Sequence, residues 1–381
     1  MDGGRTMRRG HRWSRLAGET LTAADPAALL KKPHAVSNPV ARVILERAQA
    51  ESRPRARADD HLVCLAVEGG GMRGAVSAGM CVVLEAAGLT GAFDRVYGVS
   101  AGALNGWALA AGQAAFSATH YQDAARRRVI NRMRPLVGRS VIDFDLLFEE
   151  LIAARKPLSF QGLASGPEFR ALATSLETFS HRVLSGFSDL DELTRAVRAS
   201  ATLPMLAGEP PVFRGERMLD GGLIEPIPFE TALREGATHV LVLRSRPAGY
   251  RQPLLRGLNQ SPALREPRLG ELLRARPRIY NRQAGELERG GNTTRCAAHV
   301  LQVTVPDNTR LIGRLESNGE RVNEALRLGA RALASTILNE SIDLCWQPTV
   351  YRTRPADLPA QQPARASSRT RSTAAALAET S

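Results

Sequence analysis

Lysine is almost missing from this chain. It occurs only at Lys31, Lys32 and Lys156, so nearly all of the 51 basic side chains among 381 residues are arginines. Such a skew, with heavy alanine usage, fits GC-rich coding better than selection for phosphate contacts. Cysteine is scarce too. Cys64, Cys81, Cys296 and Cys345 are far apart and form no CxxC pair, which excludes a disulfide scaffold and a zinc ribbon. No HExxH and no His/Cys cluster occurs, so no metal is expected. No apolar run reaches the roughly 18 residues of a membrane span; the nearest, 101–116, is broken by Asn105 and Gln113. The opening residues lack the apolar core of a signal peptide, and Arg8-Arg9 has no apolar stretch behind it, so a cytoplasmic location is expected. Aromatic residues make up 5% of the chain, but the hydrophobic fraction of 43% is enough to exclude a wholly disordered polypeptide.

The net charge is +13, and its placement matters more than its size. The excess sits in residues 1–57, 251–290 and 352–381, leaving the rest near neutral. A nucleic-acid partner is therefore not expected. Peripheral contact of basic flanks with an anionic membrane is the better reading.

The chain divides into a basic N-terminal extension (1–60), a core (61–245), an Arg/Pro-rich insertion or lid with marginal helices (246–290), a C-terminal part of the same domain (291–345) and a disordered tail (352–381). The extension holds one helix, entered by Asn38 as cap and Pro39 at its first position. Leu62–Val67 is a continuous apolar run of strand length, as expected of a buried parallel strand. Further strands are expected at Arg95–Tyr97, at Met218-Leu219, at His239–Leu243 and at Val300–Val305. Helices are expected from about 75 to 88, after Ser100, and near 117–132, 143–154, 167–178 and 189–200. A long amphipathic helix follows at Leu315–Leu338. Alternation of this kind argues for an α/β sheet covered on both faces.

Three glycine-containing corners punctuate this pattern. Gly69-Gly70-Gly71-Met72-Arg73-Gly74 follows the first strand and opens a helix. It reads as a dinucleotide fingerprint with Asp94 near the ribose position, as a cradle of backbone N–H groups for an oxyanion, or as a tight turn. Asp94, however, precedes the second strand instead of following it. Gly98-Val99-Ser100-Ala101-Gly102 lies between a strand and a helix, the context of a nucleophile elbow, where small flanking residues permit a sharp turn. Asp220-Gly221-Gly222 ends another strand, and reads as a turn or as a carboxylate able to take a serine proton.

In this order and spacing, GGGMRG, GVSAG and DGG resemble the patatin-like phospholipases, lipid acyl hydrolases with a Ser–Asp dyad. Ala78-Gly79-Met80, 199–204 (ASATLP) and Pro226-Ile227-Pro228 add to the likeness. It spans about 62–245 and continues more loosely to about 340. The resemblance implies a three-layer α/β/α sandwich around a mostly parallel sheet. It implies Ser100 as nucleophile and Asp220 as general base. The oxyanion hole would come from Gly69, Gly70, Gly71, Met72, Arg73 and Gly74. Gly98, Gly102, Gly221 and Gly222 would give the two catalytic corners room. An acyl lipid, phospholipid or lysophospholipid, is the implied substrate, and no cofactor is needed. Arg73 would brace the loop or meet an anionic head group. DGG stands where DGA is commoner. Two alternatives remain: a Ser-His-Asp esterase using His239 or His299, and a lipid-binding module without turnover.

Overall fold

The computed structural model describes residues 37–338 apart from 127–128, 156, 205, 255–265, 291–296 and 308. The expected tail at 352–381, Cys296, Cys345 and the lysines lie outside the described residues. All described residues fall in one compact unit. Its centre is β1 (Val63–Val67), buried at every position. Parallel to β1 run β2 (Arg95–Val99) on one side and β7 (His239–Leu243) on the other. β3 (Glu168–Ser175) extends the parallel run beyond β2, and β8 (His299–Val303) beyond β7. Antiparallel strands β4 (His181–Leu184), β5 (Val212–Phe213) and β6 (Glu216–Asp220) complete the β3 side.

Side-chain alternation along the central strands assigns the two faces. Val63, Leu65 and Val67 of β1 join one core, which also takes side chains from α1 (Pro39–Gln49), α2 (Ala75–Ala86), α3 (Ala101–Ala110), α4 (Ala114–Arg126), α5 (Leu190–Ala201) and α8 (Gly319–Leu333). Cys64 and Ala66 face the other core, with Phe229 and Ala232 of α6 (Phe229–Arg234) and Tyr280, Ala284 and Leu287 of α7 (Pro267–Glu288). The result is the expected α/β/α sandwich. Among the described residues, no helix is long and apolar enough to cross a membrane.

Helix caps follow the sequence signals. Asn38 Oδ1 accepts from the Val40 amide at 2.9 Å, and Asp189 Oδ1 from that of Glu192 at 2.7 Å. Two expectations change. The segment 167–178, read as helical, holds the strand β3. It pairs with β2, β4 and β6, and this long-range pairing overrides a weak intrinsic preference. Between 251 and 290 the marginal helices are one continuous 22-residue helix, α7, held by packing on the sheet despite Pro277.

The helix of the N-terminal extension is part of the core. Arg47 of α1 is buried, with Nη1 2.8 Å from Asp94 and Nη2 2.6 Å from Asp59. It also donates to the carbonyls of Ala92 and His61. Arg57 takes the other oxygen of Asp94 at 2.6 Å. Asp94 is thus consumed by two arginines and the Val63 amide, at the end of β1 remote from the glycine loop. The dinucleotide reading fails on this geometry.

The hydrogen bond from Arg47 holds the Asp59 carboxyl down at about 2, below its usual 3.8. A depressed carboxylate stabilises the fold above its unfolded pKa, and the gain is lost as pH falls through the folded value. Arg47→Met should cost about 3 kcal/mol or more at neutral pH, because it strands partly buried carboxylates. In urea melts, the gap from wild type should close between pH 4 and 2. A gap independent of pH would show that Arg47 acts only through packing.

Candidate active site

Two strands that meet end to end on β3 create the site. β2 pairs with β3 up to Val99 opposite Leu172. One residue later, Ala173 of β3 pairs with Asp220, the last residue of β6. Because β4 occupies the opposite side of β3 at these positions, β6 lies on the edge that β2 has just vacated. Ser100, which follows β2, and Asp220 are brought together although far apart in sequence.

Ser100 sits at φ 57°, ψ −130°, a left-handed conformation that costs a non-glycine residue about 1–3 kcal/mol. It is paid because the turn must fold back at once into α3. A Cβ on Gly102 would lie 2.2 Å from the Val67 carbonyl oxygen, so the backbones touch where the helix passes β1. Gly98 is equally confined, by Ala103. The Ser100 amide donates to Ser200 Oγ at 3.0 Å, and Ser200 donates onward to the Leu172 carbonyl at 2.6 Å. Ser200, fully buried on α5, therefore clasps the elbow to β3. The N-terminus of α3 points its positive end at the serine.

The glycine loop is held from three sides. Gly71 has φ 57°, and its neighbour Met72 donates its amide to the Arg314 carbonyl at 3.0 Å. Asn105 of α3 donates to the Gly74 carbonyl at 2.9 Å. Ser245 donates to the Gly69 carbonyl at 2.9 Å and receives Arg73 Nε at 3.4 Å. Buried Glu68 accepts the Ser245 amide and pairs with Arg244, which reaches Tyr280 of α7. The amides of Met72 and Arg73 are engaged by the Arg314 and Gly70 carbonyls, and Gly69, Gly70 and Gly71 line the polar pocket. Arg73 braces the loop and also lines that pocket.

Asp220 is 3% exposed. Its Oδ1 accepts the Gly222 amide at 2.7 Å and its own amide donates to the Thr202 carbonyl at 2.8 Å. Gly221 has its Cα against β3, with no room for a Cβ beside the Leu172 carbonyl. Burial pushes the Asp220 carboxyl above its ordinary value; a hydrogen bond from Ser100, the Arg276 charge, the Gly222 amide and Arg314 pull it back. Ser100 and Asp220 line the same polar pocket.

Two cavities meet at Ser100. One is an apolar cleft walled by side chains such as Leu104, Tyr121, Val129, Ile142, Phe144 and Phe148. The other is a polar pocket lined by Arg73, Arg246, Arg276, Arg314, Tyr280, Asp220 and the glycine loop. Gly71, Ser100, Leu203 and Arg314 belong to both. Among the described residues, none of the four arginines forms an ion pair. Burial lowers Arg73 to about 9, helped by Arg246, and Arg276 to about 10, helped by Arg314. Arg276 Nε also donates to the Gly222 carbonyl at 2.7 Å, bracing the Asp220 turn.

His239 and His299 do not approach the serine. They face each other at the starts of β7 and β8, level with Val63. Five strand residues separate them from the site, roughly 16 Å. Arg246, Arg276, Tyr280 and Arg314 were not singled out from sequence, and Ser200 figured there only within the 199–204 stretch. The spacing of Arg276 and Tyr280, four residues apart on one helix face, was the available signal.

Residues 65–233 match the family model described as patatin-like phospholipase. The chain is 28% identical over 191 residues to YjjU of Escherichia coli K12, covering 49% of this chain and 52% of that protein. It is 29% identical over 175 residues to mouse patatin-like phospholipase domain-containing protein 5, covering 43% and 38% respectively. The chain thus spans about half, or less, of the length of these curated relatives. Among solved structures, human GIVD cytosolic phospholipase A2 is similar with a TM-score of 0.41 at 11% identity, covering 84% of this chain and 65% of that one. VipD from Legionella pneumophila gives a TM-score of 0.36 at 13% identity, covering 76% and 69%.

The strain at Ser100 has a measurable signature. Ser100→Gly should raise stability by about 1 kcal/mol relative to Ser100→Ala, since only glycine adopts this backbone freely. Calorimetric melting of the two variants checks this, and equal melting temperatures would mean that the elbow is unstrained.

Proposed function

We propose that this chain is a lipid acyl hydrolase working through a Ser100–Asp220 dyad, a reading supported by the match of residues 65–233 to the patatin-like phospholipase model. One observation carries the reading: a strained serine, in the same pocket as a buried carboxyl, stands where an apolar cleft meets a cationic pocket. The acyl chain lies in the cleft and the polar part of the ester in the pocket.

In the first half-reaction the Asp220 carboxylate takes the Ser100 Oγ proton as Oγ attacks the ester carbonyl. The amides of Gly70 and Gly71 hold the oxyanion, and preorganised donors of this kind are worth roughly 10²–10³ in rate each. Collapse expels the alcohol, which leaves with the proton from Asp220. Water, deprotonated by the same carboxylate, then releases the fatty acid from the acyl-enzyme. A carboxyl raised by burial is a stronger base than an ordinary aspartate, while the charges of Arg276 and Arg314 favour its ionised form.

The substrate we propose is a phospholipid or lysophospholipid, its phosphate facing the unpaired arginines. Arg246, Arg276 and Arg314 lie outside the family-matched segment, so this preference belongs to the additional elements of this chain.

Ser100→Ala and Asp220→Asn should each lower kcat on p-nitrophenyl butyrate by about 10³ or more, while replacing His239 and His299 leaves it largely intact. Wild-type turnover in Ser100→Ala would sink the dyad. Activity needs ionised Asp220, so it should fall on acidification through a limb lying above the usual aspartate range, and Asp220→Glu should shift that limb.

The head-group reading is tested by 1-oleoylglycerol 3-phosphate against 1-oleoylglycerol, which differ only in the phosphate. The phosphate ester should have a kcat/KM about ten- to a hundredfold higher, and Arg314→Met should narrow that ratio. Equal rates for the two substrates would refute a phosphate subsite without touching the dyad.

A further inference from the structure

At the outer end of the apolar cleft the chain makes a projecting loop, residues 131–141. Its neck is closed by a bridge between Ile130 and Ile142. Across that neck, the Asn131 amide donates to the Val141 carbonyl at 2.9 Å and the Asp143 amide to that of Val129 at 2.8 Å. The loop is structured internally. Met133 donates its amide to Asn131 Oδ1 at 2.9 Å, Gly138 to the Pro135 carbonyl at 3.1 Å and Arg139 to that of Arg134 at 3.1 Å, while Arg134 pairs with Asp143.

This ordered tip nevertheless exposes Met133 at 64%, Leu136 at 76% and Val137 at 72%, the three highest values among the exposed large hydrophobic side chains. Exposed Arg132 and Arg139 flank them. Apolar side chains held outward by a preformed turn and ringed by arginine fit a surface that is greasy inside and negative at its face. The neck residues Val129, Ile130 and Ile142 line the cleft that leads to Ser100, so whatever the tip enters is continuous with the acyl site.

We infer that residues 131–141 seat the protein on a bilayer containing anionic lipid, with Met133, Leu136 and Val137 entering the acyl region and Arg132 and Arg139 at the phosphates. This rests on the lipid-hydrolase reading and adds the surface through which substrate arrives. Lifting an acyl chain directly from the bilayer into the cleft would spare it exposure to water.

The test uses the full-length chain as Ser100→Ala, so that vesicles stay intact, with phosphatidylcholine vesicles with and without phosphatidylglycerol. Leu136→Trp should show, as a difference from the chain's three native tryptophans, a blue shift on vesicle addition and quenching by lipids with brominated acyl chains. The pair Leu136→Asp and Val137→Asp should weaken binding to anionic vesicles about tenfold or more. Arg132→Gln with Arg139→Gln should reduce it about fivefold per arginine. Val212→Asp, a comparable loss of an exposed apolar side chain on the strand β5, should bind like the parent. Unshifted Leu136→Trp emission, or undiminished binding by the double aspartate variant with an unchanged melting temperature, overturns the inference. So does failure of the parent chain to bind anionic vesicles, which would leave a protein partner as the occupant of the tip. Hydrolysis of p-nitrophenyl butyrate by the wild-type chain without vesicles reports separately on the dyad.

Discussion

Everything at this site depends on a vacancy along one strand. β3 is longer than its neighbour β2, and the edge left open beyond Val99 is filled by β6 arriving from the opposite direction. Backbone pairing sets Asp220 beside the end of β2 to within the precision of a sheet register. The elbow then needs only a sharp turn to present Ser100 to it. Ser200 fastens both partners of this junction, the Ser100 amide and the Leu172 carbonyl, with one hydroxyl. In the dyad we propose there is no third residue to orient the base, and the sheet would do the orienting.

The electrostatics pull in opposite directions, and the balance is informative. Burial favours the neutral form of Asp220, whereas Arg276 and Arg314 favour the charged one. The same arginines lose part of their own basicity to burial and to one another. Four guanidinium groups around the Asp220 carboxyl repel one another, and the phosphate of the substrate we propose would relieve that repulsion. Part of the cost of pre-assembling the cations would thus be recovered when substrate binds.

Much of this was legible in the sequence, because the three glycine corners are local. Each requires small residues at fixed offsets from a Ser or an Asp, and backbone clashes at Gly102 and Gly221 explain the requirement. The buried strands Val63–Val67 and His239–Leu243 were legible as unbroken apolar runs. What escaped was long-range. Glu168–Ser175 looks helical by composition and becomes a strand only through its three partners. Arg276 and Arg314 are unremarkable among so many arginines until the chain folds them onto the pocket. The N-terminal charges were read as a free basic flank, but Arg47 and Arg57 are neutralised inside by Asp59 and Asp94.

The latch on the glycine loop is the carbonyl of Arg314, and the strand that flanks β1 on its other side is β7. Both come after Ser100 and Asp220 in the chain. A chain synthesised only as far as Asp220 holds both residues and still lacks the parts that latch the glycine loop and close the sheet. Order of synthesis thereby separates the presence of the two residues from their arrangement, and the pocket around them is complete only when nearly the whole domain exists.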